Sequence, residues 1–456
     1  MSYSAPRSGL RTALLLLVCS LAVYNANFQR IASGDTVAAS LLPFSLLLDG
    51  SVAADRFYPY VAEHLPQHAR GFHLAHGHAY SGYPIATPLL VTPLYVPAAL
   101  AAGAQRWGVA RIVAVAAVME KLAASLVAAL SVMFFYFLAW RLASPRRALC
   151  VTLAYAFATG TWTISSQALW QHGPSELAVI AGLYFLARWS EDPGRRGMLA
   201  LAGLSCAVAA AVRPTNVLFL AALCISAAAA RRGRCRWADL LALPVVVGTS
   251  VAAYNLYVFG RLTGGYEFRI AGPFWEGLAG LLASPGRGLF VYTPVAAFSL
   301  VGAARWLKNG RPWQSPVPAA AALFALWSVL LFSIWPIWWG GHCYGPRLLT
   351  DMVPCLMILI LPALEGISRS AAQKALLGLA LTVSILVQAI GAFCYPHSQW
   401  DEQPVTVGDR PDRLWDWRDS PIGRSLRAGP RLGPDPAKLE EFWQALRGAP
   451  GDPAQP

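Results

Sequence analysis

Stretches of about 20 mostly apolar residues, the length at which a helix crosses a bilayer, recur along most of the chain. They lie near 11–29, 112–140, 148–168, 176–188, 198–213, 216–230, 238–259, 288–304, 317–339, 348–365 and 375–394. Short polar loops separate them, and two longer stretches, 30–111 and 395–456, stand apart. The pattern predicts an all-α polytopic membrane protein with about 11 transmembrane helices, arranged as a membrane domain (1–394) and a polar tail (395–456) rich in Pro, Gly, Arg and Asp. Arg7 and Arg11 flank the first run as in a signal peptide, but no clean small-residue cleavage site follows, so it reads as an uncleaved anchor.

One segment decides the topology. Residues 88–103 are apolar but carry Pro88, Pro93 and Pro97, which predicts a helix broken into short pieces and lying along the interface. With that segment not crossing, one set of short loops holds 17 basic residues: Arg7, Arg11, Arg141, Arg146, Arg147, Arg188, Arg195, Arg196, Arg231, Arg232, Arg234, Arg236, Arg305, Lys308, Arg311, Arg369 and Lys374. The opposite set holds five, Arg213, Arg261, Arg269, Arg287 and Arg347. The positive-inside rule then puts the first set and the N-terminus in the cytoplasm and the C-terminus outside. The 30–111 stretch becomes a long first outer loop with interfacial helices.

Composition agrees and narrows the class. Of 456 residues, 56% are hydrophobic and 13% charged, which excludes a soluble enzyme, a fibrous protein and a disordered one. The net charge of +13 is accounted for largely by the cytoplasmic loops, so it signals orientation and not a nucleic-acid surface. The eight cysteines show no CxxC or metal spacing. No internal repeat is evident, which speaks against inverted-repeat transporter designs.

Candidate chemistry gathers on the outer side. Asp35, in Ser33-Gly34-Asp35-Thr36, sits where the first span ends and an apolar surface helix begins. It is either a general base toward an acceptor hydroxyl or the N-cap of that helix. Arg213 precedes Pro214-Thr215-Asn216, Arg287 lies in Ser284-Pro285-Gly286-Arg287-Gly288, and Arg347 follows Tyr344-Gly345-Pro346. Each stands where a helix re-enters the membrane, a setting that offers free amides and a bidentate ligand to a phosphate. The alternatives are snorkelling or, for Arg347, a pair with Asp351 one helical turn on. Trp338, Trp339 and Tyr344, beside Gly340-Gly341, suit either bilayer anchoring or stacking on a sugar, with His342, His172 and Tyr83 as further sugar or acceptor contacts. His64, His68, His76 and His78 are candidate ligands for a divalent metal, although no established spacing holds them and local hydrogen bonding is the simpler reading. Glu120 and Lys121 form an intramembrane charged pair within reach of the outer interface by snorkelling.

These residues resemble the GT-C superfamily of integral membrane glycosyltransferases, which includes glycosyltransferase family 39, the protein O-mannosyltransferases and the lipid A aminoarabinose transferases. The resemblance rests on Gly34-Asp35-Thr36, the helix behind it, Tyr83-Pro84-Ile85-Ala86-Thr87-Pro88, Arg213-Pro214-Thr215 and Tyr254-Asn255-Leu256-Tyr257-Val258-Phe259-Gly260, scattered over residues 1–350. It implies an inverting transfer of a sugar from a polyprenyl-phosphate donor to a hydroxyl of a lipid, protein or glycan, at the periplasmic or exterior face of the inner (plasma) membrane, with Asp35 as base. No cofactor is required by the sequence, a divalent metal is admissible, and membrane lipids but no nucleic acid are expected partners. Two departures stand out. Thr36 occupies the place where many members carry a second acidic residue, and the tail with Arg413-Leu414-Trp415-Asp416-Trp417 does not match the better-known members. A reading of another class, a transporter or flippase for lipid-linked sugars, would require a polar path at mid-membrane.

Overall fold

The computed structural model describes residues 7–101, 103–230, 235–266, 271–308, 314–367, 370–433, 440 and 443–444. Arg231, Arg232, Arg234, Arg269, Arg311 and Arg369 of the loop-charge argument lie outside the described residues. The fold is helical, with a two-stranded antiparallel hairpin, Phe72–Ala75 and His78–Ser81, in the first long loop.

Every predicted apolar run carries helix. Five helices among the described residues are long and apolar enough to cross a membrane: Val109–Leu142, Trp237–Phe259, Pro316–Ser333, Arg347–Ile367 and Ala371–Phe393. Helix Val109–Leu142 has 34 residues, roughly 50 Å of rise, so it extends well past a bilayer's hydrocarbon core. Helix Trp237–Phe259 is apolar nearly all round and buries few side chains, while Val245 and Val246 are 59% and 61% exposed. Such a surface is stable in lipid, not in water. Two runs are interrupted where the backbone cannot continue. Run 148–168 splits into Pro145–Phe157 and a π-helical turn Thr161–Ser165, and run 288–304 into Leu289–Tyr292 and Ala297–Lys308 around Pro294.

Small residues let the helices approach closely. A Cβ on Gly203 would lie 2.0 Å from the Leu240 carbonyl oxygen, and one on Gly302 1.8 Å from that of Leu359. These glycines therefore set the contacts of Arg196–Val212 with Trp237–Phe259 and of Ala297–Lys308 with Val353–Ile367.

Three expectations are corrected. The proline-bearing segment forms one continuous helix, Ala86–Ala101, with Pro93 and Pro97 inside it, packed against Gly34–Phe44; the Thr92 hydroxyl donates to the Pro88 carbonyl at 2.8 Å. Helix Gly34–Phe44 does not lie exposed, since Thr36 to Phe44 are buried between Ala86–Ala101 and Val109–Leu142. Glu120 and Lys121 do not snorkel. Glu120 is buried, accepting from Arg30 at 2.5 Å and from the Leu169 amide at 3.1 Å. Lys121 donates to the Tyr24 carbonyl at 2.8 Å and to Gln167 at 2.6 Å, and Gln167 also accepts from Asn27 at 2.7 Å. Adjacent on one helix and facing apart, the two charges tie the exit of the first helix to the Thr161–Ser165 turn and its sequel.

The tail folds back onto the helix ends. After Ala371–Phe393 come short helices Tyr395–Ser398, Pro411–Trp415 and Pro421–Ala428, and the chain then returns to the start of the first loop, where Gly433 donates to the Asn27 carbonyl at 2.9 Å.

Candidate active site

Loops from six parts of the chain converge on a cavity of about 470 Å³. Its lining includes Asp35, Arg70, Tyr83, His172, Arg213, Arg261, Tyr266, Trp335, Gly340, Gly341 and Arg347. Four stretches separated in sequence, around Asp35, Tyr83-Pro84, Arg213-Pro214-Thr215 and Phe259, thus meet at one surface.

Asp35 stands in the first turn of Gly34–Phe44, and the cap of that helix is Ser33, whose hydroxyl accepts from the Asp35 amide at 3.3 Å. The capping alternative is therefore corrected: with Ser33 in that role the Asp35 carboxylate turns to the cavity, where Oδ2 accepts from Arg347 Nη1 at 2.9 Å. Both partners are partly open, at 29% and 17% side-chain exposure. The Arg347 guanidinium lies 4.6 Å from the centroid of the Trp170 ring, which fixes its plane. Its Nε–H is buried with no partner among the described residues, a donor awaiting an acceptor.

Asp351 does not pair with Arg347. Segment Arg347–Met352 is a 3-10 helix, in which residues four apart no longer share a face. Buried Asp351 instead bridges His172 Nδ1 at 2.8 Å and Arg213 Nη1 at 2.7 Å. A carboxylate only accepts, so His172 carries its proton on Nδ1 and keeps Nε2 as an acceptor. Arg213 also lies 5.2 Å over the Phe332 ring.

Two tyrosines complete the wall. Tyr83 and Tyr266 meet edge to face with centroids 6.1 Å apart, and the Tyr266 hydroxyl donates to Gln171 at 2.7 Å. Burial pushes the Tyr266 hydroxyl up to about 12. Burial, reinforced by the Asp35 charge, raises Tyr83 as well, so both remain neutral donors. Arg70 and Arg261, which the motif reading did not select, also line the cavity, so four arginines face it against one carboxylate, Asp35, in the described lining. Arg70 follows the short helix Pro66–Ala69, and Arg261 is turned inward after Gly260, whose φ of 68° breaks the preceding helix. Little in the sequence singled them out: Arg70 is one of five arginines in the first long loop, and Arg261 is one of the few in its set of short loops.

Other predicted site residues lie elsewhere. Arg287 is fully buried outside the cavity lining, donating from Nε to the Trp339 carbonyl at 3.1 Å, from Nη1 to Gly286 at 2.9 Å, and from Nη2 to Gly341 at 3.0 Å and to Asp401 at 2.5 Å. Four of its five N–H groups are thus consumed, which removes it from the phosphate set. Trp338 is buried against Gly280 and Trp415, and Tyr344 is buried with its hydroxyl on the Val387 carbonyl at 2.9 Å. Trp339 stacks edge to face on Trp338, and His342 is exposed; none of these four lines the cavity, because the left-handed turn at Gly340 and Gly341 (φ 74° and 72°) presents backbone there instead of rings. Trp335 and Trp170 take their place as aromatic walls.

The histidine candidates do not form a cluster. His64 stacks on Tyr60, His68 lies in Pro66–Ala69, His76 bonds the Tyr257 carbonyl at 2.8 Å, and His78 bonds Asp55 at 2.6 Å. Among the described residues no group of three or more His, Cys, Asp or Glu is placed to hold a metal ion. His64 and His68 stand on two short helices, whereas His76 and His78 lie at the hairpin turn and its second strand with partners of their own.

No protein-family model matches the chain, and no curated protein does. Solved structures do. The apo structure of ArnT from Cupriavidus metallidurans superposes with a TM-score of 0.56 at 14% identity, over 96% of this chain and 76% of that one. An acceptor-peptide-tethered oligosaccharyltransferase of Archaeoglobus fulgidus gives 0.53 at 12% identity, over 91% of this chain and 59% of that one. AglB of the same organism, solved with an inhibitory peptide and a dolichol-phosphate, gives 0.54 at 12%, over 90% and 59%. The chain has a GT-C-like fold, shared with these structures. It spans 59% of the length of the archaeal oligosaccharyltransferases, so the GT-C resemblance covers nearly all of this chain but only part of those. Within the GT-C fold, the cavity is bordered by the first loop after the first helix and by the 335–348 loop.

Proposed function

We propose that the chain is an inverting glycosyltransferase that moves a sugar from a polyprenyl-phosphate donor to an acceptor hydroxyl. The distribution of loop arginines and lysines supports eleven crossings, with the N-terminus in the cytoplasm and the cavity on the outer face of the plasma membrane. One observation carries the reading: a carboxylate from the first loop, Asp35, and a guanidinium, Arg347, meet at 2.9 Å on the wall of a cavity rich in arginine.

In this mechanism the donor phosphate binds to Arg347 and its neighbours Arg213, Arg70 and Arg261. Phosphate competes with Asp35 for Arg347, so donor binding releases the carboxylate to take the acceptor proton. The acceptor oxygen then attacks the anomeric carbon from the face opposite the phosphate. The carbon–oxygen bond to phosphate breaks, and the leaving phosphate gains one negative charge. Fixed guanidinium groups in a site partly shielded from water are suited to stabilise that charge. Tyr83, Tyr266, His172 and Trp335 are placed to contact the sugar or acceptor. A GT-C neighbour solved with a dolichol-phosphate is consistent with a lipid-phosphate ligand for this fold.

The test is transfer from a panel of labelled polyprenyl-phosphate sugars to an envelope extract by purified protein. Asp35→Asn should lower transfer by about 10²–10⁴-fold at unchanged expression. Activity near that of the unmodified protein would remove Asp35 as the base.

A further inference from the structure

The tail was the part of the chain without a counterpart in the motif reading, and its contacts converge on one buried ion pair. Asp401, 6% exposed, accepts from Arg287, and the Tyr395 hydroxyl donates to its second oxygen. The Arg287 guanidinium lies 5.3 Å over the Trp400 ring, and that of Arg413 lies 4.8 Å over the same ring. Arg413 also donates to the Trp400 and Gln403 carbonyls at 2.7 and 2.6 Å. On the other side, the Ser284 hydroxyl and the Gly286 amide both donate to the Leu414 carbonyl, at 2.6 and 3.1 Å. The tail is thus fastened to the loop that carries Arg287 at two places.

Two further Arg287 donors hold the Trp339 and Gly341 carbonyls, and residues 340 and 341 are themselves cavity wall. Both glycines sit in the left-handed region, with no regular hydrogen-bonded ladder to hold them. Their backbone direction is set from behind by a guanidinium whose compensating charge comes from the tail. Arg347 follows on the same loop, through the buried Cys343 and Tyr344.

We infer that the tail is a positioning clamp, in which Asp401, acting through Arg287, holds the Gly340-Gly341 wall and so fixes Arg347 for phosphate. Asp401 and Arg287 touch no ligand in this arrangement; they are positioning residues. The consequence for phosphate rests on the proposed function, whereas the hold on the wall does not.

The experiment uses the purified full chain in detergent, as the unmodified protein, Asp401→Ala, Asp401→Glu and the charge-free pair Arg287→Leu with Asp401→Leu. Two quantities are read: amide hydrogen exchange over residues 337–347, and affinity for a polyprenyl phosphate followed by tryptophan fluorescence. Loss of charge-assisted hydrogen bonds should speed exchange roughly tenfold in Asp401→Ala and weaken lipid-phosphate binding by about the same factor, with partial recovery in Asp401→Glu. Unchanged exchange in 337–347 overturns the clamp, and faster exchange with unaltered affinity overturns its role in fixing Arg347 for phosphate. Should Asp401→Ala fail to fold, the charge-free pair carries the same test, because it leaves no buried charge unpaired. If the unmodified protein binds no polyprenyl phosphate, the functional reading fails, and the exchange data alone still decide for or against the clamp.

Discussion

Asp35 and Arg347, 312 positions apart, close an ion pair of 2.9 Å on the wall of the cavity. Neither is spent on its own helix: Ser33 caps the one, and the 3-10 geometry of Arg347–Met352 turns Asp351 away from the other. The pair therefore joins the first long loop to the last loop before the final two long helices, and it couples the proposed base to the proposed phosphate ligand. A donor that engages Arg347 weakens its hold on Asp35.

Arg347→Lys keeps the charge but loses the planar fork and the stack on Trp170. Transfer should fall by on the order of tenfold to a hundredfold, with the loss mainly in kcat. Steady-state kinetics on the purified variant decide it, and rates within twofold of the parent protein would show that a point charge suffices.

Arg70→Ala removes a cavity cation without stripping a buried carboxylate, whereas Arg213→Ala leaves Asp351 buried and short of its cation. The first should raise KM for the donor with thermal stability nearly unchanged. Arg213→Ala should cost roughly 3–5 kcal/mol of stability. Paired melting curves and donor titrations separate the two, and equal melting temperatures would refute the division.

Glu120→Gln should destabilise the protein by about 1.5–3 kcal/mol, through loss of the charge-assisted bonds from Arg30 and the Leu169 amide. The readout is unfolding in detergent, where a melting temperature equal to that of the parent would mean that Arg30 finds water instead.

Gly302→Val places carbon where the Leu359 carbonyl oxygen stands, 1.8 Å from the first added atom. Helices Ala297–Lys308 and Val353–Ile367 must separate, at a cost of about 1–3 kcal/mol or more. Gly378→Ala, with open space around its Cβ position, serves as the control and should be near neutral. Indistinguishable stabilities for the two variants would contradict the close contact.

Much of the architecture could be read from apolar run length, because a bilayer demands long apolar helices whatever packs beside them. The prolines of 88–103 misled because each removes one amide from the ladder, a loss that a helix packed among neighbours tolerates better than an isolated one. Arg213 and Arg347 were visible as arginines at helix re-entry points, and they do line the cavity. Arg287 has the same local signature and faces the opposite way, because Asp401 of the tail captures it.

The sequence by itself determined the class of protein, the loop that carries the candidate base, and the small number of basic residues in the short loops that include Arg213 and Arg347. Only the tertiary structure decided partners. Asp35 goes to Arg347, Asp351 to Arg213 and His172, and Arg287 to the tail, while the tryptophans of 338–339 turn inward and Arg70 and Arg261 enter the cavity. Run length is a property of one segment in its solvent, whereas an ion pair across hundreds of residues depends on where several helix ends come together, which no local pattern encodes.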